Sequence, residues 1–194
     1  MKNVLAIFDF DGTLTRKDTF LCFLMYTHGR LKFCLKFIGV SPFVIFKFIG
    51  LYSNSQLKEK VLSSFYKGYP VERLETLGNE FAEKQIPTLL RKEVYDKLKW
   101  HLASGHQIII LTASCDTWIR AWCDKEQVKL ISSRLEVRDG LVTGKLDGLN
   151  CYGAEKKRRL EEGLDMRSFS FVYAYGDRPS DRFYMDLANE KHWV

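Results

Sequence analysis

The chain has 194 residues, 46% of them hydrophobic and 28% charged, which is enough for one full core with a sizeable insertion and argues against a disordered or fibrous protein. Its formal net charge of +6 favours anionic partners, whether phosphorylated small molecules, nucleic acid or an anionic membrane, and does not choose among them. The five cysteines (Cys22, Cys34, Cys115, Cys123, Cys151) are odd in number and form no CxxC pair, and the four histidines are scattered, which argues against a disulfide framework or a zinc site and for a reducing compartment.

The chain opens on an apolar run, Val4–Phe8, that reads as a short buried strand and is followed at once by Asp9-Phe10-Asp11-Gly12-Thr13. Side chains two apart on a strand share a face, so Asp9 and Asp11 are expected to set two carboxylates side by side at the strand end. Like charges so placed call for a bound cation, or for chemistry that uses both a nucleophile and an acid. The same acids interrupt the apolar stretch, so it is not read as a signal peptide, and a cytoplasmic location is expected.

Residues 18–87 change character: Phe, Leu and Tyr recur at helical spacing, broken by Gly29, Gly39, Pro42, Gly50 and Pro70. This reads as a helical cap inserted into an α/β core made of residues 1–17 and 88–194. From Thr19 to Lys58 there is no acidic residue, while Arg30, Lys32, Lys36, Lys47 and Lys58 are interleaved with Phe20, Phe23, Phe33, Phe37, Phe43, Phe46 and Phe48. Two readings stand side by side: the aromatics form the cap's own core, or a basic aromatic surface lies on anionic lipid. The longest uncharged run, residues 37–46, is too short to span a bilayer, which takes about 20 apolar residues.

From about residue 92 helices and strands alternate. A helix through Tyr95 and Leu98 ends at Ser104-Gly105; residues 107–111 read as a buried strand, and a helix carrying Trp118, Ile119, Trp122 and Cys123 follows. Residues 129–132 are a further strand. Asp139-Gly140 supplies the positive-φ turn of a hairpin between residues 135–137 and 141–143. A helix over 154–162, a strand over 169–175 and a helix over 179–188 complete the chain. The alternation predicts a doubly wound parallel sheet, in which ligands bind at the carboxyl ends of the strands.

Three such ends carry polar residues: Asp9 and Asp11, then Thr112, then Asp177. Asp181 lies four residues past Asp177, where a helix amino terminus alone would also explain an acid. Converging carboxylates need a divalent cation, and an all-oxygen site suits Mg²⁺. On the 154–162 helix, Lys157 and Arg158 can pair with Glu161 and Glu162, and Arg159 reads with them as part of a solvated face. Lys156 instead shares a stripe with Leu160 and Leu164 and is placed inward, against the helix dipole, which favours a functional role. Ser114 or Asp116 is better placed than Thr112 to cap the following helix, which leaves the Thr112 hydroxyl free for a substrate oxygen.

Asp-x-Asp-Gly-Thr after a strand, Thr112 after a second, Lys156 opening a later helix and Gly-Asp-x-x-x-Asp after a further strand together resemble the haloacid dehalogenase superfamily in its phosphatase form. They occur in the same order and across the whole chain. The early helical insertion, the hairpin over residues 134–146 and residues 150–156 resemble its phosphoserine phosphatase-like subclass, IB. The resemblance implies a haloacid dehalogenase-type Rossmannoid core and phosphomonoester hydrolysis. Asp9 would be the nucleophile that forms an aspartyl-phosphate, and Asp11 the acid that protonates the leaving oxygen and later deprotonates water. Mg²⁺ would be held by Asp9, the Asp11 carbonyl and Asp177, with Asp181 fixing its water, and Thr112 and Lys156 would hold phosphoryl oxygens.

Phosphoserine phosphatases grip the substrate carboxylate with a cap arginine, and no arginine occurs between Arg30 and Arg73. Asp18 stands where that subclass carries an acidic cap residue, and by that resemblance it would be the counterpart for a substrate amine. The basic, aromatic cap looks more like the branch that includes bacterial phosphatidylglycerophosphatase C. The expected substrate is therefore a lipid-linked phosphate such as phosphatidylglycerophosphate, with peripheral contact to an anionic membrane at its inner face and no nucleic acid partner. A small soluble, phosphoserine-like ester is the alternative; a non-catalytic phosphate- or membrane-binding module is the second.

Overall fold

The computed structural model describes residues 3–194. In chain order the first elements are β1 (Val4–Phe8), α1 (Thr19–Phe48), α2 (Asn54–Tyr66), α3 (Val71–Lys84), the single turn α4 (Ile86–Leu89), α5 (Lys92–Ala103) and β2 (Gln107–Cys115). There follow α6 (Arg120–Lys125), β3 (Lys129–Ser133), β4 (Leu135–Arg138), β5 (Leu141–Leu146), α7 (Ala154–Gly163), β6 (Phe171–Gly176), α8 (Arg182–Met185) and β7 (Glu190–Trp193).

A five-stranded sheet runs β3-β2-β1-β6-β7, and every neighbouring pair in it is parallel. β1 lies at its centre with Leu5 to Phe8 fully buried, as a strand covered on both faces requires. The chain builds outward from β1 to β2 and β3 on one side, then crosses to β6 and β7 on the other. The carboxyl ends of β1 and β6 therefore flank the point where the strand order reverses, the usual place for a ligand in such sheets.

Helices cover the sheet on both sides. One apolar cluster joins Phe8, Phe10 and Leu14 to Phe23, Phe65, Phe81 and Trp118, so the early helices share a core with one sheet face. A second cluster packs Leu5, Ile7 and Ile109 against Leu160, Tyr184 and Met185. Residues 16–89 leave and rejoin the core at Thr15 and Leu90, which face each other in an isolated antiparallel bridge.

Several elements depart from the sequence expectation. The break expected at Gly29 is present as a kink in α1, with φ of 73° and ψ of 159°, but those expected at Gly39 and Pro42 are not, and the helix runs on through both. β2 runs four residues past Leu111, with an irregularity in its pairing with β3 between Leu111 and Cys115. The helix expected over 179–188 is a 3₁₀ turn, Pro179–Asp181, followed by the short α8. β7 is an added edge strand of mostly polar sequence. The β4–β5 hairpin forms as expected, with Asp139 and Gly140 at φ of 51° and 73°.

Candidate active site

The ladder of β1 ends at Phe8, so Asp9 and Asp11 lie in the loop beyond it rather than on one strand face. Their carboxylates consequently have different surroundings. Asp9 is 5% exposed; its Oδ1 accepts from Lys156 Nζ at 2.6 Å and its Oδ2 from Thr13 Oγ1 at 3.4 Å. Asp11 turns away, with Oδ1 accepting at 2.6 Å from both the backbone N–H and the hydroxyl of Thr19 and Oδ2 accepting from Ser114 Oγ at 2.6 Å. One carboxylate is thus set against an ammonium and the other in a ring of hydroxyls, which divides the two jobs that the resemblance assigns to them.

Lys156 enters from the first turn of α7 and is 3% exposed, on the inward stripe with Leu160. Its Nζ donates to Asp9 Oδ1 at 2.6 Å and to Asp181 Oδ1 at 2.8 Å. Burial works against the ammonium, but the Asp9 and Asp181 carboxylates outweigh it and raise the Lys156 pKa above its ordinary value. Burial raises the Asp9 carboxyl well above the usual carboxylate range, with Lys156 opposing the shift. Asp181 is held further by the N–H groups of Asp177 and Arg178, at 3.3 and 3.1 Å.

Thr112 is fully buried, and its hydroxyl is engaged rather than free: it accepts the Ser114 N–H at 3.0 Å and faces Asp11 Oδ2 at 3.4 Å. Ser114, expected as a helix cap, instead binds Asp11, because β2 continues to Cys115 and the 3₁₀ turn that follows, Asp116–Trp118, starts beyond its reach with Cys115 in the cap position. Asp18 caps α1 through Leu21 N–H at 3.1 Å. Burial, and next the charge of Asp11, raise the Asp18 carboxyl pKa. Arg159 is tied down by the Ser132 and Leu149 carbonyls and by Glu155, so it is not part of the solvated face on which Arg158 meets Glu162.

A cleft of about 410 Å³ joins these groups to the helices, with Asp9, Asp11, Thr112, Lys156 and Asp181 along its floor. Its far wall is apolar, formed by Phe20, Leu21 and Phe37 with Val44, Leu57 and Val61, and it is studded with Lys47 and Lys58. Lys58 had no signal in the sequence beyond its basic neighbourhood. Its Nζ donates to the Ala113 carbonyl and, at 3.1 Å, to Asn150 Oδ1, so a cation from α2 reaches the end of β2 beside Thr112. Arg178, the first of the three residues between the two motif acids, also lines the cleft, with Nε 3.5 Å from Asp177 Oδ2. Arg91 holds the Gly12 carbonyl at 2.9 Å. These contacts join residues far apart in sequence, and spacing alone does not reveal them.

Asp9, Asp177 and Asp181 each present a carboxylate oxygen, all within 4.8 Å of one another. Lys156 pairs with Asp9 and Asp181 and Arg178 with Asp177, so three carboxylates face two cations, and the remaining negative charge is one that a divalent cation would relieve. Gly12 lies so close that a Cβ would come within 2.2 Å of Asp177 Oδ2, so the loop wraps this carboxylate as only glycine permits. A hard, all-oxygen donor set in a tight cradle fits Mg²⁺.

A parallel sheet with its acids at the β1 and β6 ends, an internal lysine and a helical segment over the cleft defines a Rossmannoid hydrolase. The chain belongs to the haloacid dehalogenase-like hydrolase family, whose pattern matches residues 6–186. Among characterised sequences it is 34% identical to Protein CicA of Caulobacter vibrioides over 192 residues, 97% of this chain and 84% of that one. Among solved structures it is similar to a protein of unknown function from Bordetella pertussis Tohama I, with a TM-score of 0.80 at 23% identity, covering 98% of this chain and 89% of the other. A substrate-bound phosphoserine phosphatase complex shares the fold at a TM-score of 0.63 and 20% identity, covering 98% of this chain and 85% of the other.

Proposed function

We propose that this hydrolase is a Mg²⁺-dependent phosphatase that releases phosphate from an amphiphilic, lipid-linked monoester by way of an aspartyl-phosphate, with residues 18–87 acting as its substrate-selecting cap. The observation that carries the proposal is the cleft itself, in which the buried Asp9–Lys156 pair forms the floor and an apolar wall bearing lysines faces it.

Asp9 attacks phosphorus in line; the new Asp9–phosphorus bond forms as the ester P–O bond breaks, and the departing alkoxide takes a proton from Asp11. Water then attacks the phosphorus as the Asp9–phosphorus bond breaks and gives its proton to Asp11, which releases inorganic phosphate and restores the Asp9 carboxylate and the protonated Asp11. Thr19 and Ser114 fix the Asp11 carboxylate for both transfers through their 2.6 Å contacts. Lys156 holds Asp9 and, with the backbone around Thr112, offers donors to the phosphoryl oxygens where charge builds up. Asp9, Asp177 and the Asp11 carbonyl would hold Mg²⁺, with Asp181 supporting its water; when bound, the ion neutralises phosphate charge and lets two anions approach.

Lys47, Lys58 and Arg178 leave cationic places for a second anionic group beyond the phosphate, as in phosphatidylglycerophosphate, while Phe37, Val44 and Leu57 accept an apolar remainder. One observation favours the soluble alternative: Asp18 also lines the cleft, where it can meet a substrate amine. The test is turnover of an aryl phosphate with Mg²⁺ by the wild type and Asp9→Asn, followed by phosphoserine and a lipid phosphate in mixed micelles. Background release by both forms removes the enzyme reading. Preference for phosphoserine over the micellar ester moves the substrate to the soluble class.

A further inference from the structure

After the kink at Gly29, α1 carries apolar residues on every side, yet only one side is covered. Val40 is buried, Phe33 packs toward Phe65, Phe43 packs toward Tyr52, and Phe37 and Val44 line the cleft. On the opposite side Leu31, Leu35, Ile38 and Ile45 are 76%, 62%, 67% and 61% exposed, and Ile49, just past the helix, is 63% exposed. Steps of four, three, seven and four residues place these five on one stripe. A helix at a water surface turns a polar face outward, and one that is apolar all round is normally covered all round. This stripe therefore lacks its cover. Of the two readings of the aromatics, Phe20, Phe23, Phe33 and Phe43 follow the first and pack into the helices' own core, and the bare face is aliphatic.

We infer that the outer stripe of α1, from Leu31 to Ile49, docks on the surface of an anionic bilayer. Charge selects this occupant. Arg30 and Lys32 are exposed beside the stripe, Lys47 is exposed on the cleft side of the same helix, and no acidic residue occurs between Thr19 and Lys58. A second copy of the same stripe would bring lysines and arginines against one another, whereas anionic headgroups complement them. No helix among the described residues is long and apolar enough to cross a membrane, so the stripe lies on the bilayer rather than passing through it. The inference rests on the proposed substrate for its consequence: the same helix lines the cleft through Phe37, Val44 and Lys47, so docking brings the cleft to the headgroup layer.

The test is sedimentation with phosphatidylcholine vesicles that contain or lack phosphatidylglycerol, at low and high salt. The wild type is expected to bind the anionic vesicles and to be released by salt, with binding about tenfold or more weaker in the triple variant Leu35→Ser, Ile38→Ser, Ile45→Ser. Arg30→Glu with Lys32→Glu should weaken binding in the same assay through charge alone. None of these residues lines the cleft, so aryl phosphate turnover and the circular dichroism spectrum should be unchanged and report correct folding. Absence of vesicle binding by the wild type, undiminished binding by the folded triple variant, or a dimer in light scattering that the triple variant abolishes would each overturn the inference. Sedimentation needs no turnover, so failure of the phosphatase proposal would appear in the Asp9→Asn comparison and leave this result readable.

Discussion

Gly12 leaves no room for a side chain beside Asp177: a Cβ would lie 2.2 Å from Asp177 Oδ2, on a residue whose φ is +91°. Both the left-handed backbone and the contact penalise any substitution. Gly12→Ala should therefore cost about 1–3 kcal/mol in urea unfolding and reduce kcat by about 100-fold or more, because Asp177 must move from its place by Asp9. An alanine variant with full turnover would show that the position of Asp177 is not critical.

Lys156 offsets the charge of Asp9 and Asp181 where none of the three is more than 5% exposed. Removing it leaves two buried carboxylates without the cation that pairs them, whereas removing Asp9 leaves Lys156 still paired with Asp181. Lys156→Met should lower unfolding stability by about 3 kcal/mol and Asp9→Asn by much less, although both should reduce kcat by at least about 100-fold. Paired urea titrations of the two variants check the asymmetry, and equal losses of stability would contradict it.

Lys58 crosses from α2 to the Ala113 carbonyl and Asn150 Oδ1, at the mouth of the floor that Thr112 and Asp9 form. A cation there acts on whatever anion the ester carries beyond its phosphate. Lys58→Met should raise KM by about tenfold or more for a lipid phosphate bearing a second anionic group, with aryl phosphate affected by less than about threefold. Equal effects on both esters would assign Lys58 to holding the helices in place rather than to selecting the substrate.

The parts of this architecture that were legible in the sequence are those with local causes. Val4–Phe8 and the hairpin turn at Asp139-Gly140 read directly, since burial on both faces and positive φ each demand particular residues. Lys156 was legible because helix spacing put it beside Leu160. β7 was not, since Glu190, Lys191 and His192 form an edge whose strand character comes from pairing with β6 rather than from its own pattern. Nor was the work of Ser114, Thr19 and Lys58, because their partners lie across the fold. Phe count and charge pointed to a surface in residues 18–87, but only helix direction separates the inward phenylalanines from the bare Leu and Ile stripe.

His101 supplies a pH dependence that is separate from the site. It is fully buried on α5, with Nδ1 2.7 Å from His106 Nδ1 and Nε2 3.0 Å from the Tyr175 hydroxyl. Burial, and after it the imidazoles of His106 and His192, lower its pKa from 6.5 to about 4. Lys97 acts in the same direction. The folded protein keeps this imidazole neutral over that interval while the unfolded chain protonates it, so the unfolded state binds more protons and stability falls as pH falls from 6.5 toward 4. The loss from this group is at most about 3 kcal/mol. Urea unfolding across that interval should show a shallower decline in His101→Gln than in the wild type. Identical slopes would overturn the assignment to His101; Asp9 cannot take its place, because its carboxyl, raised by burial, is protonated more readily in the folded state and so adds stability as pH falls.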